Sequence, residues 1–86
     1  MESSNVIIRP YVTEKALIAA EKGNIITLIV DRKSNKNQIK RAVEETYGVK
    51  VTKVNTLITS TGEKKAYVKL AEGYSAVDVL SRMGVL

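Results

Sequence analysis

Lys33, Lys36 and Lys40, with Asn35 among them, are the first residues of this 86-residue chain whose spacing points to chemistry. Lys36 and Lys40 lie one helical turn apart, so on a helix both ammonium groups leave from one face. Asn35 is a natural N-cap, and a helix N-terminus adds free backbone N–H donors and a partial positive charge beside the lysines. Together these make a surface that holds phosphate. The competing reading is an ordinary solvated helix face with Lys40–Glu44 and Arg41–Glu45 as weak i,i+4 pairs. Those pairs leave Lys33 and Lys36 without a partner, which tilts the reading towards binding.

A second group is Lys53, Asn55, Lys64, Lys65, Tyr67 and Lys69, read as the outward face of a β-hairpin. Basic side chains around one aromatic ring suit base stacking with phosphate contact. Asn55 and Thr56, polar in an otherwise β-branched run, offer hydrogen bonds to sugar or phosphate oxygens. Against this stands the use of edge lysines to suppress strand-to-strand aggregation. Charge distribution favours binding: ten of the fourteen Lys and Arg fall in residues 32–69 with only Glu44, Glu45 and Glu63, a formal +7, while the two ends are each near −1. Clustered cations are rewarded by counterion release from a polyanion, and the expected partner is RNA.

Catalytic readings fare poorly. The chain has no His and no Cys, which removes the commonest general base, thiolate metal sites and any disulfide framework. Thr61-Gly62-Glu63-Lys64 lacks the second glycine, the Gly-Lys-Ser/Thr ending and the following helix of a phosphate loop. Asp31 and Asp78 fall at a strand end and in a first helical turn, both structural positions. Arg9 with Asn55 imitates a phosphatase anion clamp only without its glycine-rich loop. No enzyme activity, cofactor, metal or small-molecule substrate is expected.

The elements that must position these groups follow from periodicity. Val6-Ile7-Ile8 reads as an edge strand closed by Pro10. Thr13 caps a helix over residues 13–22 that stops at Gly23, and residues 24–30 form a central strand buried on both faces. Asn35 and Gln38 spell a capping box, and Ile39, Ala42, Val43, Thr46 and Tyr47 keep helical rhythm up to Gly48. Residues 49–58 read as a strand whose parity shift between Val51 and Val54 marks a bulge or burial on both faces. Residues 59–63 make a short hairpin connection, and in residues 64–70 Ala66, Val68 and Leu70 face the core. Ser75 caps a last helix, with Asp78 in its first turn and a Tyr74–Val79 staple. The order β-α-β-α-β-β-α predicts an α+β fold: an antiparallel-dominated four-stranded sheet with a split βαβ (ferredoxin-like) arrangement and three helices.

One domain over residues 1–86 is expected from length and 44% apolar content. The longest apolar run, residues 25–30 with Thr27 inside it, is far too short to span a bilayer. Met1-Glu2-Ser3-Ser4-Asn5 has neither the basic nor the apolar region of a secretory signal, so a cytoplasmic protein without membrane contact is expected.

Arg9-Pro10, Val12-Thr13-Glu14-Lys15-Ala16, Asn35-Lys36-x-x-Ile39-Lys40-x-Ala42-Val43-Glu44, Tyr47-Gly48-Val49-Lys50-Val51 and Val54-Asn55-Thr56-Leu57 stand in the order and spacing of the large-subunit ribosomal protein twenty-three family. The resemblance covers nearly the whole chain. The short 59–63 connection resembles the archaeal form, since the bacterial form carries there a long basic loop that reaches into the peptide exit tunnel. The resemblance implies a structural protein that binds large-subunit ribosomal RNA beside the nascent-peptide exit, contacts ribosomal protein twenty-nine and offers a docking platform for the signal recognition particle. It implies RNA-facing roles for Lys36, Lys40, Asn55 and Thr56, joined by Arg9 and Lys15, and a factor-docking role for the acid Glu14. For Glu14 the plainer role is stabilisation of a helix dipole in the first turn. The alternative for the whole chain is a free-standing single-stranded RNA-binding module, but such modules stack bases on several exposed aromatics, and the hairpin offers only Tyr67.

Overall fold

The apolar run at the centre of the sequence becomes the centre of the sheet. In the computed structural model, which describes residues 6–85, four strands and three helices follow in the order β1 (Ile7–Pro10), α1 (Glu14–Gly23), β2 (Ile25–Val30), α2 (Lys36–Tyr47), β3 (Val51–Ile58), β4 (Lys64–Leu70) and α3 (Ala76–Arg82). The expectation drawn from Met1 to Asn5 lies outside the described residues. Spatial strand order is β1-β2-β4-β3, and every neighbouring pair is antiparallel. β4 therefore sits between β2 and β3, which run parallel to each other across it: the split βαβ unit expected from the short hairpin. β1 and β3 are the edges, and the predicted parity shift in β3 is a register irregularity between Val51 and Lys53.

Alternation sorts the sheet into two faces. Ile26, Leu28 and Val30 of β2 and Ala66, Val68 and Leu70 of β4 turn to one side and meet Ile39, Ala42 and Val43 of α2 and Ala76, Val79 and Leu80 of α3 in one core cluster. Ile39 and Val43 are fully inaccessible, while Thr46, predicted to continue that stripe, is exposed. α1 packs along β2 and α3 and contributes the buried Ala20. Among the described residues no helix is long and apolar enough to cross a membrane.

The helix ends follow the predicted chemistry, with one displacement. The Thr13 hydroxyl accepts from Ala16 N–H, Ser75 accepts from Asp78 N–H, and the Asn35–Gln38 capping box is closed in both directions. Gly48 ends α2 at φ 66°. The stop of α1, expected at Gly23, lies one residue later: Gly23 is still helical and Asn24 takes the left-handed conformation at φ 55°. Asparagine tolerates that region, and here its side chain also links distant segments. Its Nδ2 donates to the Tyr74 carbonyl at 2.8 Å and its Oδ1 accepts from Ala76 N–H at 2.8 Å, tying the end of α1 to the start of α3.

Candidate nucleic-acid interface

The basic side chains do not form one face. Lys36, Lys40, Asn35 and Lys33 are exposed around α2, which covers one side of the sheet. Lys53, Asn55, Lys65, Tyr67 and Lys69 leave the sheet on the other side, because they alternate with the buried Val54, Ala66, Val68 and Leu70. In register, Lys53 stands opposite Lys69, Asn55 opposite Tyr67 and Leu57 opposite Lys65.

One residue assigned to the hairpin's outward face sits elsewhere. Lys64 shares parity with Ala66, so its stem turns to the helix side and its ammonium donates to the Ser34 carbonyl at 2.6 Å. This bond joins the start of β4 to the loop before α2. Thr56, opposite Ala66, likewise lies on the helix side, so Thr56 and Asn55 address different faces. The α2 cluster and the sheet lysines thus approach each other only around the hairpin end, where Lys64 lies.

The acids of the basic segment are also placed otherwise than expected. Glu44 does not pair with Lys40; its Oε2 accepts from Val51 N–H at 2.9 Å and anchors the start of β3. Among the described residues the ion pairs are Arg9–Glu63 at 2.7 Å and Arg82–Asp78 at 3.5 Å, and neither Lys40–Glu44 nor Arg41–Glu45 forms. The α2 lysines are left free of carboxylate partners, whereas Arg9 is bound to the hairpin acid Glu63. Both sides of that pair are well exposed, so it contributes little and an incoming phosphate can compete for the guanidinium.

The sheet register reveals two further residues of this surface. Tyr11, just past Pro10, donates its N–H to the Thr27 carbonyl at 3.0 Å, and Thr27 pairs with Tyr67, which pairs with Asn55. Tyr11, just past β1, therefore continues a row that runs through Thr27 of β2 and Tyr67 of β4 to Asn55 of β3. The Lys65 ammonium stands 4.0 Å from the centroid of the Tyr11 ring and 5.8 Å from that of Tyr67, a cation between two aromatic faces. Beside this row runs a cleft of about 560 Å³ whose other wall is the first two turns of α1, with Lys15 and Glu14 among its lining. Glu14, distant in sequence from the basic segment, thus borders the same cleft as Lys65. Thr27 had one sequence signal, a hydroxyl inside an otherwise apolar strand; Tyr11 had none, because its place depends on the register of β1 against β2.

The comparisons with known proteins agree with this architecture. The family model described as ribosomal protein L23 matches residues 5–77. The large ribosomal subunit protein uL23 of the archaeon Pyrobaculum aerophilum is 63% identical over 81 residues, 94% of this chain and the whole of that relative. The chain belongs to the ribosomal protein L23 family. Its β3–β4 connection is the tight turn of the archaeal form: Thr59 N–H donates to the Glu63 carbonyl at 2.8 Å, and Gly62 takes φ 89°.

Proposed function

We propose that this chain is a structural, non-catalytic constituent of the large ribosomal subunit that binds large-subunit ribosomal RNA next to the nascent-peptide exit tunnel. Its neighbour there is ribosomal protein twenty-nine, and its free surface is a docking platform for the signal recognition particle. The observation that carries this reading is the 63% identity, over the whole of that relative and 94% of this chain, to a protein named as a large-subunit protein. The physical arrangement supports it: cations stand on both sides of the fold, Lys36 and Lys40 on α2 and Lys53, Lys65 and Lys69 on the sheet, as in a wedge held between RNA segments. Arg9, Lys15, Lys33, Asn35, Asn55, Thr56 and Tyr67 extend these contacts. Lys64, occupied with the Ser34 carbonyl, serves the hairpin's placement first.

The docking role is assigned to Glu14 in the exposed first turn of α1. A carboxylate there attracts a basic segment of an incoming factor while the lysine faces hold RNA. The test is co-sedimentation of the untagged protein with large subunits: it should travel with them at moderate salt and leave only at high salt. A protein found wholly in the free fraction at low salt would overturn the ribosomal assignment in favour of a free-standing RNA binder.

A further inference from the structure

We propose that the cleft between α1 and the Tyr11–Thr27–Tyr67 row is a slot for one unstacked RNA base. The proposal rests on the RNA-binding reading above and adds the kind of contact made there. Tyr11 and Tyr67 flank Thr27 on neighbouring strands, so their rings are rooted two inter-strand spacings apart, about 9.6 Å. That separation admits one planar ring between them and the α1 wall. The facing wall is built from Ala16 and Ala19, the small side chains a flat ligand needs. The volume of about 560 Å³ is in the range of sites for small planar ligands.

The floor carries a polar group without an intramolecular role. Thr27 is 4% exposed and lines the cleft, and its hydroxyl has no hydrogen-bond partner among the described residues. No fully enclosed side-chain oxygen or nitrogen among those residues lacks a partner, so this hydroxyl opens into the cleft. A threonine hydroxyl can donate to or accept from a base edge.

The charges at the mouth orient the nucleotide. Lys15 and Lys65 offer phosphate contacts there, beside the slot that receives the base. The Lys65 ammonium already lies over both rings, 4.0 Å from the Tyr11 centroid and 5.8 Å from that of Tyr67, as a group attracted to aromatic faces does. With a base in place, Lys65 turns to the phosphate behind it.

The experiment measures binding of the full chain to deproteinised large-subunit ribosomal RNA for wild type, Tyr11→Leu, Tyr67→Leu, Tyr11→Phe and Thr27→Val, at two salt concentrations. Loss of base stacking should weaken binding by about 5- to 150-fold in each leucine variant. The salt slope should stay unchanged, because no phosphate contact is removed, and Tyr11→Phe should bind as wild type. In the wild type the tyrosine ring proton resonances should shift upfield with RNA, the signature of a stacked base. Folded leucine variants that bind at wild-type strength, with unshifted ring resonances, would overturn the slot while leaving RNA binding intact. No RNA binding by the wild type would overturn both.

Discussion

Asn24 does at one position what glycine does at most helix ends, and adds two long-range hydrogen bonds. Replacing it by alanine puts a Cβ-bearing residue without a local bonding side chain into the left-handed region and strips the Tyr74 carbonyl and Ala76 N–H of their partner. The expected loss is about 2–3 kcal/mol, read from urea unfolding. Asn24→Gly should recover the backbone part alone and fall between the two; equal stability of the glycine variant and wild type would mean that the bonds to α3 contribute nothing. Tyr47 gives a pH signature. Burial raises its hydroxyl pKa above 10.0, so the native state keeps that proton to higher pH than the unfolded chain does. Its contribution is full below pH 10 and is lost as pH rises through the native value. Tyr47→Phe should therefore lose less stability than wild type as pH rises above 10.0, in paired urea titrations. Parallel losses would remove the tyrosine from the account.

At the scale of elements, α2 divides its labour by face. Ile39, Ala42 and Val43 fill the core, the capping box fixes the first turn, Glu44 anchors β3, and Lys36 and Lys40 remain exposed. Lysine and alanine are both strong helix formers, so the double substitution Lys36→Ala/Lys40→Ala should leave the unfolding free energy from urea titration within about 0.5 kcal/mol of wild type. RNA affinity should fall all the same. An unchanged affinity in the folded double variant would reduce this face to solvated surface. Most of the helix was legible in the sequence because capping and 3.6-residue periodicity are local. The partner of Glu44 was not, because competition between a lysine one turn away and the Val51 amide is settled only when β3 is placed against α2. The hairpin was read with the right turn and the right core parity. Lys64 was nevertheless assigned to the outer face, although it shares the parity of Ala66, because charge rather than alternation guided that assignment.

For the whole molecule, two lysine faces joined around the hairpin end predict binding governed by counterion release. If Lys36, Lys40, Lys53 and Lys65 each neutralise one phosphate, log affinity should fall with log salt at a slope of about −3. A flat dependence in a filter-binding titration would mean that the cationic surface does not meet phosphate. Docking is expected to be separable from assembly. Glu14→Lys should incorporate into large subunits as wild type does, yet bind the signal recognition particle more weakly, with the larger deficit at low ionic strength, because a rim charge acts chiefly on association rate. Equal factor binding at two ionic strengths would leave Glu14 as a helix-dipole charge.

Strand and helix periods, caps and turn residues are encoded within a few neighbours, so the sequence alone determined the element order, the core stripes, the parity shift in β3 and the split βαβ topology. Five short motifs in register also determined the family. What only the tertiary structure decided is which side chains share a surface. Tyr11 and Tyr67 are 56 residues apart in sequence and line one cleft because the end of β1 and β4 flank β2 in one particular register. Asn55 and Thr56 are adjacent in sequence and part to opposite faces. Side-chain direction in a sheet reverses with every residue, and register between distant strands is set by burial of the whole core; a binding surface laid across four strands is therefore a property of the assembled sheet.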